Sequence, residues 1–320
     1  MEDALWASVS ALLADALPPP DDGAERSFPQ TTALDYGAYF DLVLDSADEA
    51  LPLRTQARQY LLRRLAGGES APIRPEGVGG LPRITTLSQE FHDPEALDRM
   101  RRWWDIEPDN AMALTAISAD ELAVARRDIA CAFDHLRACA PDIHAEIAEL
   151  VNEIVVARPD GSQRMAFGGA SSFALWGAIA LNVDSHDGWP RYFQSLVHEA
   201  AHTLLFAIAR EKPLVLNSPD EKFGSPLRDD LRPMDGLFHA AFVSVRESLA
   251  LDALLCRHEA EGHLSCEEEQ VVAALLDGSV TAFWECAETL RRNARLAPLG
   301  QAILHECEAT MRRNFALVDG

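Results

Sequence analysis

Trp189-Pro190-Arg191-Tyr192-Phe193-Gln194-Ser195-Leu196-Val197-His198-Glu199-Ala200-Ala201-His202-Thr203-Leu204-Leu205-Phe206-Ala207-Ile208-Ala209-Arg210 is the stretch on which the reading of this chain turns. Pro190 suits a first helical turn, where its missing N–H leaves no bond unmade. Beyond it come good helix formers with no internal glycine or proline, so the run predicts one helix. Residues four apart share a helix face, so His198 and His202 aim two imidazoles at one point. That is the H-E-x-x-H arrangement of two neighbouring ligands on a metal ion. Ala200 and Ala201 leave little bulk there. Glu199 stands about 100° further round the helix, close enough to act on a water activated by that ion. The bland alternative is two ordinary histidines, solvated or packed, on an ordinary helix.

Two histidines do not hold a catalytic metal; a third protein ligand is needed. No histidine occurs between His202 and His239, so motifs with a third histidine shortly after the pair are excluded. The candidates, in order, are His239 at the start of the next helix, Glu247 on that helix, and Asp235 on the approach to it. A downstream Glu suits a zinc peptidase, whereas His with carboxylate suits non-heme iron. Arg228 and Arg232 lie four apart in the same neighbourhood. Their guanidinium groups suit a carboxylate gripped bidentately near the metal, or else pair with Asp220, Asp229 or Asp230.

The remainder of the chain reads as mainly helical. Helices are expected over residues 4–17, 33–48, 53–65, 118–140, 237–255, 265–276, 280–295 and 299–315, with Arg101-Arg102-Trp103-Trp104 inside the segment 91–110. Ser118 with Glu121 and Ser265 with Glu268 are capping boxes. Gly278 reads as a helix stop. The arginines at 54, 58, 63 and 64 read as a solvated face. Residues 71–83 and 217–236 read as loops, rich in Pro, Gly and charge. Glu153-Ile154-Val155-Val156-Ala157 and residues 174–183 read as strands, joined through the Pro159-Asp160-Gly161 turn signal into a small antiparallel sheet. The expectation is an α+β fold of about ten helices and two to four short strands. A helical N-terminal region, 1–145, would precede a metal-binding domain, 146–320, that carries the H-E-x-x-H helix and a C-terminal helical cover.

Composition narrows the function classes. The 320 residues are 48% hydrophobic, with 51 acidic against 28 basic side chains and a formal net charge of −23; mean hydropathy is −0.08. Such a charge opposes non-specific binding to nucleic acid and to anionic membranes. The first twenty residues lack the basic segment of a secretory signal, and no apolar run reaches membrane-spanning length. The six cysteines form no C-x-x-C pair, so reduced thiols in a cytoplasmic protein are expected. A homodimer stays open.

Taken together, His198-Glu199-Ala200-Ala201-His202, then Ser225-Pro226-Leu227-Arg228, then Arg232-Pro233-Met234-Asp235-Gly236-Leu237-Phe238-His239 resemble the HEXXH-motif peptide-modifying enzymes of ribosomally synthesised peptide natural product pathways. Gly177-Ala178-Ile179-Ala180-Leu181 adds to the likeness, which covers roughly residues 154–255. The resemblance implies a modifying enzyme acting on a genetically encoded precursor peptide, by Fe(II)- and 2-oxoglutarate-dependent hydroxylation of a side-chain β-carbon. It implies His198, His202 and His239 as metal ligands, and Arg228 and Arg232 as clamps for the 2-oxoglutarate carboxylate. Two other functions compete. One is a zinc metallopeptidase with Glu199 as general base; the other is a non-catalytic peptide-binding partner with a structural metal.

Overall fold

The structure is a computed structural model, and it describes residues 2–17, 28–43, 51–67, 81–105, 112–161, 167–225 and 228–315. It is mainly helical with a minor share of strand, as expected. In order the elements are α1 (Glu2–Leu12), α2 (Ala33–Val43), α3 (Leu51–Leu65), β1 (Arg83–Thr85), α4 (Pro94–Trp104), β2 (Leu114–Thr115), α5 (Ala119–Cys139), α6 (Pro141–Leu150), β3 (Glu153–Pro159), β4 (Gly169–Ser171), β5 (Ala178–Asn182), α7 (Trp189–Ala209), β6 (Lys222–Ser225), β7 (Arg228–Pro233), α8 (Met234–Glu261), α9 (Cys266–Asn293) and α10 (Pro298–Asn314). Among the described residues no helix is long and apolar enough to cross a membrane. Packing groups residues 1–122 with 151–183 in one unit, and residues 123–150 with 184–320 in another. Residue 145, the expected domain boundary, falls inside α6 in the second unit.

The first unit is built on a sheet that departs from the antiparallel expectation. β1, β3 and β5 run parallel, in the order β1-β3-β5-β4; β4 is antiparallel to β5, and β2 is antiparallel to β3. The physical reason is burial on both faces. Ile154, Val155 and Val156 are fully buried, and all of β5 is buried, which is the apolar signature of central parallel strands. The turn at 159–161 serves a different pair. The Asp160 N–H donates to the Ala113 carbonyl and closes the β2–β3 ladder. Residues 169–171 supply the antiparallel edge strand. Phe173–Leu175 form a 3-10 turn rather than a strand start. Gly177 then opens β5 at φ +90, where an added Cβ would stand 2.8 Å from Asn152 Nδ2.

Two buried carboxylates tie the helices of this unit together. Asp35 on α2 accepts from Arg64 Nε at 2.8 Å, from Arg64 Nη2 at 2.9 Å and from Tyr60 at 3.1 Å. Asp41 accepts from Arg99, Arg102 and the Trp103 indole. Arg64 is therefore buried and paired, not part of a solvated face. Of the adjacent tryptophans, Trp104 is buried and Trp103 half-buried.

The second unit is a helical assembly in which α8 packs along α9 and against α7, with α10 and α6 completing it. Its core holds Leu205, Leu237, Phe238, Val245, Phe283, Leu290 and Met311. The segment expected to be a structureless loop contains an antiparallel hairpin, β6–β7. Gly262 caps α8 in the left-handed region at φ 65. The expected Ser265–Glu268 capping box opens α9. That helix then continues through Gly278, where a stop was expected, to Asn293. All six cysteines are free thiols; Cys286 and Cys307 are buried in the core, and Cys256 and Cys266 are exposed.

Candidate metal centre

Helix α7 buries Tyr192, Phe193, Leu196, Ala200 and Leu205 on its packed sides. This leaves the face of His198 and His202 partly open, with 30% of the His198 side chain accessible. One helical turn apart, the two rings approach with centroids at 4.8 Å and His198 Nε2 3.2 Å from His202 Nε2. Nitrogens that far apart, each about 2.1 Å from a common ion, subtend about 100° at it, an ordinary ligand–metal–ligand angle.

Helix α8 brings the other candidates. The buried Glu247 accepts a hydrogen bond from His198 Nδ1 at 2.7 Å through Oε1. Its Oε2 accepts from the Ser279 hydroxyl, also at 2.7 Å. Glu247 thus stands against the ring nitrogen of His198 that faces away from His202. In its neutral form His198 gives Nδ1–H to Glu247 and presents a lone pair at Nε2. His239 Nδ1 lies 2.9 Å from His202 Nδ1, and the two rings stack at 5.2 Å. Asp235 is exposed, 3.9 Å from His239 Nε2.

The donor chemistry suits a borderline transition metal, since imidazole nitrogens serve Zn, Fe, Cu and Ni alike. The three nitrogens do not meet at one point with the rings as they stand. Among the described residues no group of three or more His, Cys, Asp or Glu side chains is arranged to hold an ion. His202 turns Nε2 to His198 and Nδ1 to His239. Imidazole keeps nearly the same shape after a half-turn about Cβ–Cγ. That half-turn carries Nε2 to the Cε1 corner, between the two positions that now face the neighbouring rings.

The local charges are unequal. Burial works against a charged His198, but the charge and hydrogen bond of Glu247, with the charge of Glu199 behind them, outweigh it and raise the ring to about 9. His202 is held well below the ordinary histidine value by burial and by the positive fields of His198, His239 and Arg232. Burial also lowers His239, against the opposing pull of Asp235. Glu199 is buried at 3% exposure beside the pair, and Thr203 donates its hydroxyl to the Glu199 carbonyl.

Arg232 on β7 is half-buried and places its charge within reach of His198 and His202. Arg228 belongs to the same strand, but its side chain lies outside the described residues, as do residues 226–227 of the Ser-Pro-Leu-Arg segment. Ser279 and Gln194 were missed in the sequence. Gln194 sits four residues before His198 on α7, a spacing that was there to be used. Ser279 was hidden because Gly278 read as the end of its helix. No family model matches the chain, and no curated protein matches it.

Proposed function

We propose that this protein is a metal-dependent peptide-modifying enzyme, hydroxylating a side-chain carbon of a genetically encoded precursor peptide with Fe(II) and 2-oxoglutarate. The observation that carries it is the His198–His202 nitrogen pair, 3.2 Å apart on a partly open helix face, with His239 beside it. His198, His202 and His239 would hold the metal, which when bound supplies oxygen activation. In the balanced reaction, a C–H bond, O2 and 2-oxoglutarate become a C–OH group, succinate and CO2. Arg232 contributes a positive charge suited to the carboxylates of the keto acid, and Arg228 is its candidate partner. The partly accessible face of His198 is where the peptide would approach.

Glu199 favours a second reading, a zinc peptidase. A buried carboxylate on the residue after His198, near enough to act on that ring, suits a general base for hydrolysis. One set of incubations separates the two. The folded protein, aerobic Fe(II), 2-oxoglutarate and a precursor peptide should yield succinate and a peptide heavier by one oxygen atom. A cleaved peptide, with no use of 2-oxoglutarate, would replace this reading with the peptidase. Glu199→Gln should leave much of the hydroxylation intact, whereas it should remove nearly all hydrolysis.

A further inference from the structure

Gln194, Ser279 and Glu247 close a circuit that the H-E-x-x-H motif does not contain. Gln194 Nε2 on α7 donates to Ser279 Oγ on α9 at 3.3 Å. The Ser279 hydroxyl donates to Glu247 Oε2 on α8 at 2.7 Å. Glu247 Oε1 accepts from His198 Nδ1 at 2.7 Å, back on α7 one turn after Gln194. Ser279 is 4% exposed and Glu247 6%, so water competes poorly for either. A buried carboxylate needs its lone pairs satisfied, and here both oxygens are taken by groups from different helices. The hydroxyl hydrogen of Ser279 is committed to Glu247, and its lone pair receives Gln194.

We propose that Glu247, braced by Ser279 and Gln194, is a positioning residue that fixes the His198 tautomer and ring angle, so that Nε2 is the metal-binding atom. Outer carboxylates of this kind orient a ligating imidazole and raise its basicity. The circuit also explains why α9, which supplies no ligand, bears on the site: it holds the far end of the carboxylate. The inference rests on the metal reading above and goes beyond it, because Glu247 is assigned to the outer shell and Ser279 and Gln194 join the site.

The test uses the full chain with Zn(II) or Co(II) alone, titrated against a chromophoric chelator. Wild type should bind one ion. Glu247→Ala should bind about 10- to 100-fold more weakly, Ser279→Ala several-fold more weakly, and Glu247→Gln between wild type and Glu247→Ala, since the amide oxygen still accepts from Nδ1. In the Co(II) absorption spectrum, Glu247→Gln and Ser279→Ala should keep the wild-type band shape, because the ligand set is unchanged. Far-UV circular dichroism checks each fold, and should Glu247→Ala fail to fold, the two conservative variants carry the test. An altered Co(II) spectrum in Glu247→Gln would make Glu247 a ligand and overturn the proposal. Wild-type affinity in both conservative variants would overturn it while leaving the metal reading intact. A folded wild type that takes up neither metal would sink the metal reading and this inference with it.

Discussion

At the scale of single residues, two glycines on neighbouring helices call for opposite outcomes. Gly300 lies in the first turn of α10, and a Cβ there would run into the Leu214 carbonyl oxygen. That oxygen already accepts from the Ala297 N–H at 2.9 Å, so it cannot retreat without losing a bond. Gly300→Ala should destabilise the fold by about 1–3 kcal/mol, the usual cost of overpacking, seen as a lower denaturant midpoint. Gly278 in mid-α9 has nothing within 4 Å of its missing Cβ. Gly278→Ala should stabilise by about 0.5–1 kcal/mol, with an unchanged denaturant slope. Single residues also mark the limit of what the sequence could tell. His198 and His202 were legible because four-residue spacing fixes a shared face whatever the tertiary context. Arg64 and Gly278 were not, because their roles depend on Asp35 and on open space, both set by distant parts of the chain.

At the scale of elements, helices with capping boxes were readable and strand partners were not. Ser118 and Ser265 carry their start signals locally, and both boxes are present. Strand direction is signalled only by an unbroken apolar run, which a short segment shares with other buried elements. β3 and β5 had the right residues, but only burial on both faces made them parallel. An element-level prediction concerns the start of α7. The α5 residue His135 stacks on Trp189 at 4.0 Å and on His263, beyond the α8 cap, at 5.4 Å. Burial lowers the His135 pKa, and the charges of His263 and Arg257 lower it further, against Glu268 and Asp134. The fold therefore prefers the neutral ring. This contribution is complete above the ordinary histidine value of about 6.5 and is lost as pH falls below it toward the depressed folded value. His135→Phe keeps a ring on Trp189 and removes the titration. Its thermal midpoint should fall less than that of wild type between pH 7.5 and 5, by scanning calorimetry; equal falls would refute the assignment.

At the scale of the whole molecule, the sequence conveyed the helical majority and the location of the helix that carries His198 and His202, since both follow from composition and short-range pattern. It did not convey how distant segments assemble. Arg83 of β1 pairs in register with Glu153 of β3, and no window of sequence links them. The metal reading has a global consequence. An ion that binds the folded chain and not the unfolded one stabilises by mass action, by about 2.7 kcal/mol at a free concentration about a hundred times Kd. Added Zn(II) or Co(II) should therefore raise the unfolding temperature, and His202→Ala should abolish the increase while keeping the metal-free midpoint close to that of wild type.

The distribution of the thiols makes this protein a reporter of its own opening. Burial, with the nearby charge of Glu285, holds Cys286 at about 12, and burial with Glu306 does the same for Cys307, so neither supplies a reactive thiolate near neutral pH. Cys256 and Cys266 stand exposed on either side of the α8–α9 turn. An alkylating reagent should consume this outer pair promptly, and the inner pair only as fast as the helices around them part. The lag between the two gives the breathing rate of the helical core that carries the histidines.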